Sequence, residues 1–431
     1  MNEETHKMFD VAACPTLADY GFTGGRDNFH AFCARIFRDG SPRFLRTDDG
    51  ELVVFRNADL VAFGTSALVG NVPVGAMYPS LYRAGAAGRL PGAEVAEVIS
   101  SQVFTFNPPT HGPARMILAK WLGPRQVALM EPLARDVAAE LVARAQAGAE
   151  VEFVTEFAEA MTIRFWGALL RMTPEDTADL ERHAHAMTAL FHLQRTSGDI
   201  DRLDTAFRGY RDNLNRAADR LLAEGDAEMT ALWDKVQALD FPDDPHRTGV
   251  LPKTLGDFLA GNLVDGVHTA ALAAANTFYV LSTCDAARTA FRDDPAQLPK
   301  IIAEALRMEP PVMFLKRYVL EDFDHAGTTF AAGQQVIMMW AAGNNDPAVF
   351  ADPRAFDLSR RAGAMTTFGN GAHICPGRYL GLMLARVLIE TFRDAGIEIA
   401  VPEGKAADWY PAHMMNQIRA MPVILRRAGG Q

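Results

Sequence analysis

Cysteine is scarce in this chain: four in 431 residues, Cys14, Cys33, Cys284 and Cys375. No two form a C-x-x-C pair, which excludes a zinc ribbon or thioredoxin-type motif. Four thiols in so long a chain are too few for a disulfide scaffold. Positive charge is also short. Lys and Arg number 42 against 53 Asp and Glu, a formal net charge of −11. That lacks the basic footprint of a general nucleic-acid binder and of a polybasic membrane anchor. No uninterrupted apolar run reaches about 18 residues, so no membrane span is expected. The opening MNEETHKMFD has no basic segment followed by an apolar one, so no secretory signal is expected either. The expected setting is a reducing cytoplasm. Internal repeats and low-complexity segments are missing as well.

What remains is an ordinary globular composition, 49% apolar and 22% charged. A chain of this length buries a large core without disulfides or zinc, as two or three domains or as one large one. Residues 51–58 alternate and predict a strand. Helical spacing runs over 123–147, then over about 151–170, 175–192 and 199–237. Pro242, Pro245 and Gly249 mark a loop over 241–249. A pattern of roughly 30 residues follows from Thr254 to about Thr283, enough for a rod of about 45 Å. Thr254-Leu-Gly-Asp257 resembles a capping box with Asp in place of Glu. Further helices are predicted over 298–308 and 376–395, and a strand over 334–340. Residues 341–374 read as irregular. No boundary separates two cores, so the prediction is mainly α with minor β and a single domain over 1–431.

The most informative stretch is Phe368-Gly-Asn-Gly-Ala-His-Ile-Cys-Pro-Gly377. A lone cysteine sits in a glycine-rich loop just before a helix. Gly369 and Gly371 permit left-handed turns, and a helix N-terminus favours a thiolate, suited to a nucleophile or a metal ligand. Pro376 removes one backbone donor from beside the sulfur.

This loop is similar to the F-x-x-G-x-[HR]-x-C-x-G signature of the cytochrome P-450 family, and every fixed position matches. The resemblance implies a mainly helical haem-binding domain, with the haem between a long central helix and the cysteine loop. It implies haem b as cofactor and Cys375 as the thiolate ligand of its iron, which favours O–O cleavage. Phe368, Gly369 and Gly377 belong to the cofactor loop, and His373 would meet a haem propionate. Glu304-Ala-Leu-Arg307 resembles the family's E-x-x-R, with both side chains on one helical face, 71 residues before Cys375. Arg317 aligns with a propionate-binding arginine. His111-Gly-Pro-Ala-Arg115 resembles the H-x-x-x-R that binds propionates from the other side, two cations suited to a dicarboxylate. Phe350-Ala-Asp-Pro-Arg-Ala-Phe356 resembles the segment before the ligand loop, but Ala355 stands where an arginine is usual and Arg354 comes one place earlier. That leaves open a third partner for the Glu304–Arg307 pair. The resemblance covers about residues 45–425. Residues 1–40 form a poorly recognisable N-terminal extension, and the loop at 70–105 carries no motif.

In the long helix the family pattern is [AG]-G-x-[DE]-T, and this chain has Asp265-Gly-Val-His268-Thr269. Thr269 is retained and implies oxygen activation. His268 takes the acid position and Asp265 the small one. Spacings of i, i+3 and i, i+4 predict a cluster of all three, with His268 relaying protons and Asp265 orienting it or replacing the missing acid. The alternative is that His268 and Asp265 only satisfy each other.

The resemblance implies a monooxygenase that inserts one oxygen atom from O2 into a small to mid-sized hydrophobic or aromatic substrate. Residues 376–431 leave no room for a fused reductase, so electrons are expected from a ferredoxin or flavodoxin with an NAD(P)H-dependent reductase. Lys120, Arg125, Arg378 and Arg386 are candidates for its docking patch. Family geometry places substrate contacts at Tyr78, Tyr82, Phe191, Val264, Val267, Met313, Phe314, Met414 and Met415. Two other readings stay open: a haem-thiolate enzyme of different outcome (oxidative coupling, nitration or peroxide-driven oxidation), and a non-catalytic haem-thiolate ligand-binding protein.

Overall fold

The computed structural model describes residues 7–38, 40–72, 92–145, 148, 150–193, 195–411 and 414–427. Tyr78 and Tyr82 lie outside the described residues. Helices dominate. Those that position the site are α1 (His111–Trp121), α2 (Pro124–Ala143), α3 (Ala160–Leu169), α4 (Ser197–Ala223), α5 (Leu255–Thr283), α6 (Leu298–Met308) and α7 (Arg378–Asp394). The largest sheet has five short strands: β1 (Leu45–Arg46), β2 (Leu52–Val54), β3 (Val69–Gly70), β4 (Leu315–Val319) and β5 (Gln335–Met338). Their order is β1-β2-β5-β4-β3. Only β2 and β5 run parallel, with Val53 opposite Ile337.

Central helix α5 starts where expected. The Thr254 side chain accepts the Asp257 N–H at 2.9 Å, as an N-cap should. The reciprocal half of the capping box is missing, because the Asp257 carboxylate accepts from Arg211 at 2.9 Å instead. By length and composition α5 could cross a membrane, yet 72% of its most apolar stretch is buried inside the protein. It packs against α4 and α7, as a core helix apolar all round must. Gly256 allows the closest approach: a Cβ there would lie 2.4 Å from Asn215 Cα on α4.

Several predicted elements come out shorter. The strand expected over 51–58 is only β2, because Asn57 already opens a helix, Asn57–Thr65. All three β2 residues are buried, so this strand is covered on both faces. The pattern over 199–237 is two helices, broken at Gly225 with φ +75°. Asp226 caps the second helix, Ala227–Gln237, by accepting from Glu228 and Met229 N–H. Residues 151–170 begin as a strand, Glu150–Glu152, and pass through a π-helical turn, Val154–Glu159, before α3.

The Glu304–Arg307 pair is buried, with side chains 2% and 0% exposed. Arg307 Nε and one terminal nitrogen each donate to a Glu304 oxygen at 2.8 Å. Its other terminal nitrogen donates to Asn344 O at 2.9 Å. The third partner left open by Ala355 is Arg360, whose Nε lies 3.2 Å from Glu304 Oε1. Arg354 turns away to Glu309, at 2.9 Å. Removing one member of such a pair strands a buried charge. Arg307→Ala should therefore destabilise the fold by about 3–5 kcal/mol, read as a lower urea midpoint; an unchanged midpoint would refute the pair's structural role.

Candidate functional site

One cavity is bounded by α1, α5, the start of β4 and the loop before α7. Its empty space, counted out to open solvent, is ≈ 1890 Å³. Asp265 and Thr269, one helical turn apart, both line it, and the Thr269 hydroxyl donates to the Asp265 carbonyl at 2.6 Å. Phe368, Gly369, His373, Cys375 and Gly377 line it from the loop side.

Backbone chemistry shapes that loop. Gly369 and Gly371 both have φ +65°, the left-handed region that glycine enters without penalty. At Gly371 a Cβ would lie 2.0 Å from the Gly64 carbonyl, so this glycine is required twice over. The Cys375 N–H donates to Phe368 O at 2.9 Å. α7 begins only at Arg378, two residues later than expected. Burial pushes the Cys375 thiol up, while the Gly377 N–H bonded to the sulfur and the Arg115 charge pull it down. In the protein alone, burial therefore outweighs the expected bias toward thiolate. A bound cation at the sulfur would reverse that balance.

Six basic side chains line the same cavity; Lys316 pairs with Glu51 and Arg378 bonds the Cys375 carbonyl, which leaves His111, Arg115, Arg317 and His373 as the cluster. The rings of His111 and His373 stack, with centroids 3.9 Å apart. Arg317 donates to the Lys316 carbonyl at 2.9 Å and its guanidinium lies 5.0 Å from the centre of the Phe104 ring. Arg115 donates to the Ile374 carbonyl. Among the described residues neither arginine has a carboxylate partner. Burial lowers Arg317 to about 10. Burial, then Arg115 and Arg317, lowers His111 to about 4, and burial with the same cations depresses His373 strongly. The expected two cations at 111 and 115 are therefore one cation and one neutral ring. Desolvated positive charge without an anion is costly, so the cluster fits a dianionic ligand. Trp166 and Trp340 also line the cavity, and among the described residues their buried indole N–H groups have no partner. Neither tryptophan belongs to a motif, and their bulk in an apolar run was the only available signal.

Other expected residues fall elsewhere. His268 does not line the cavity. Its ring packs edge-on against Phe191, with centroids 5.4 Å apart, and among the described residues its buried Nε2 has no partner. Burial brings it down to about 4, so it is neutral at pH 7. The predicted three-residue cluster is thus a pair, because one residue further along a helix turns a side chain by about 100°. Val264, Val267 and Met313 are core residues, the first two on the buried flank of α5 and Met313 among Phe29, Phe32 and Ile337. Phe191, Phe314, Met414 and Met415 do line the cavity. Arg386 is unavailable for docking: it pairs with Glu131 and Glu390. Arg378 donates to the Cys375 carbonyl at 2.8 Å, whereas Lys120 and Arg125 are exposed.

The family model described as Cytochrome P450 matches residues 296–392, a span that holds both Glu304–Arg307 and the Cys375 loop. The cytochrome P450 monooxygenase PikC of Streptomyces venezuelae is 25% identical over 97% of this chain and 96% of its own. The mycinamicin IV hydroxylase/epoxidase of Micromonospora griseorubida is 26% identical over 76% of this chain and 81% of its own. Among solved structures, the epothilone D-bound cytochrome P450epoK has the same fold, with a TM-score of 0.74 at 20% identity, covering 89% of this chain and 93% of its own. Relatives along nearly its full length, that fold, and a cysteine thiol facing a basic cluster support a bacterial-type cytochrome P-450, an oxidoreductase.

Proposed function

We propose that the cavity holds haem b and that the chain inserts one oxygen atom from O2 into a small to mid-sized hydrophobic or aromatic substrate. The observation that carries this is one cavity lined at once by the Cys375 thiol, the uncompensated basic cluster and the Thr269 hydroxyl. Cys375 would hold the iron. His111, Arg115, Arg317 and His373 would hold the two carboxylates, and the charge they gain would raise both depressed imidazoles. Bound there, the haem supplies thiolate-ligated iron for dioxygen activation.

The remaining work belongs to the chain. Phe191, Phe314, Met414 and Met415 give the chamber an apolar wall that excludes water and fits an apolar substrate body. The Thr269 hydrogen is engaged with the Asp265 carbonyl, so its oxygen presents lone pairs to the chamber and can hold a proton at Oγ1. His268, turned away, orders no proton there. Electrons would come from a separate ferredoxin or flavodoxin served by an NAD(P)H-dependent reductase. Its docking face is the region of Lys120, Arg125 and Arg378, with exposed Met116 and Tyr379 beside them on α1 and α7.

The ligand and the activity are tested together. The ferrous–CO complex should show the red-shifted Soret band of a thiolate-ligated haem, and a surrogate ferredoxin and reductase should support compound-stimulated NAD(P)H oxidation with an oxygenated product. A normal CO band without any such turnover would favour the ligand-binding alternative. In Thr269→Ala, oxygen consumption should continue while product per O2 falls; unchanged coupling would remove Thr269 from the mechanism. Pro376→Leu restores a backbone donor near the sulfur and should raise the haem reduction potential in a redox titration. An unshifted potential would mean that the Gly377 N–H already sets the thiolate's electron density.

A further inference from the structure

The cavity has a basic side and a single acid. Among the described residues lining it, Asp265 is the only carboxyl group. Its side chain is exposed on the cavity wall, with protein packed densely around it. Among the described residues it makes no ion pair, and its nearest polar partner is Gln102, whose Nε2 lies 3.4 Å from Oδ2. Asn262, one turn earlier on α5, also lines the cavity but has both ends of its amide occupied. It accepts from the Val103 N–H at 3.1 Å and donates to Phe258 O at 2.8 Å.

The groups that face Asp265 from neighbouring elements do not neutralise it. Tyr210 on α4 uses its hydroxyl on the Ala260 carbonyl at 3.1 Å. Cys375 can contribute only negative charge. His268, on the same helix, faces Phe191 instead. With burial opposed only by the Gln102 bond, the Asp265 carboxyl is pushed up to about 6. It is thus mostly ionised at pH 7 and above and mostly neutral below about pH 5. Once a ligand closes the cavity around it, a carboxylate without a counter-charge is unfavourable, and at this position the family pattern has a small residue. A neutral hydroxyl on a ligand would be served as well by an amide. A cation returns the lost stabilisation, because opposite charges attract strongly in a water-poor site. Phe191 and Phe314 line the same cavity, and aromatic faces favour organic cations.

We propose that Asp265 is the recognition point for a cationic nitrogen on the substrate, so that the chain oxidises hydrophobic amines whose apolar body lies among Phe191, Phe314, Met414 and Met415. This rests on taking the cavity as the oxidation chamber. Anionic substrates are excluded by the same charge.

The test uses the haem-loaded protein and two probes: 4-phenylbutyltrimethylammonium and its carbon isostere ending in tert-butyl. The quaternary nitrogen has no lone pair and cannot ligate the iron. Binding is followed by the spin-state shift of the ferric haem and by calorimetry. At pH 8 the wild-type protein should bind the cation about tenfold more tightly than the isostere, a difference of about 1.4 kcal/mol. That preference should fall as pH drops through about 6, where the carboxylate takes up its proton, and should be absent at every pH in Asp265→Asn. Asp265→Glu should restore part of it. Equal binding of the two probes by the wild-type protein, or a preference that survives in Asp265→Asn, would overturn the proposal. So would an Asp265→Asn protein with unchanged binding but poorer product per O2, which would assign Asp265 to proton handling. Failure of the monooxygenase reading shows differently, as no turnover with any compound whatever the probes do.

Discussion

The buried Glu304–Arg307 pair is the contact on which the placement of the thiol depends. Arg307 binds the Asn344 carbonyl, and the Asn344 side chain then holds two consecutive residues of the approach to the ligand loop. Its oxygen accepts the Thr366 N–H at 2.7 Å, and its nitrogen donates to the Thr367 hydroxyl at 2.9 Å. Thr367 also donates to Leu306 O on α6 at 3.2 Å. The next residue is Phe368, whose carbonyl receives the Cys375 N–H. An ion pair on one helix is thereby connected, bond by bond, to the residue that presents its sulfur to the cavity. Nearly all of this is inaccessible to water, where each bond left unmade costs the full desolvation of its donor or acceptor. That makes the chain of contacts cooperative rather than merely additive.

The same accounting gives the cavity its polarity. Among the described residues, one side collects Arg115, Arg317 and two imidazoles with no acid among them, while Asp265 stands alone as the acid. Neither arrangement is favourable once the cavity is closed, since a buried charge is tolerated when paired. Both are therefore read as places made for a partner, a dicarboxylate on the basic side and a cation at Asp265. The apolar lining between them adds volume and dryness, which strengthens both attractions.

Much of the fold was legible because its signals are local. The Thr254 cap, the 29-residue run of α5, the limits of α6 and the glycines around Cys375 all follow from backbone propensity and spacing. Strand β2 lies inside the strand expected over 51–58, which overran because Asn57 already opens a helix. The helix over 199–237 was misread because Gly225 sits inside an otherwise periodic pattern, where periodicity hides a left-handed turn.

The site divides along the same line. By itself the sequence singled out the candidate residues: the lone cysteine in its glycine-rich loop, the E-x-x-R pair, the basic residues at 111, 115 and 317, and an acid where a small residue is usual. Tertiary structure alone decided which of them share a space. It turned His268 away from the cavity and left Asp265 in it, although both stand within one turn of Thr269. It drew Val264, Val267 and Met313 into the core, closed Arg386 into a network with Glu131 and Glu390, and brought in Arg360 where Ala355 left a vacancy beside Glu304. The physical reason is that residue type and spacing fix what a side chain can do and its angle about its own helix, whereas the surface it meets belongs to elements hundreds of residues away.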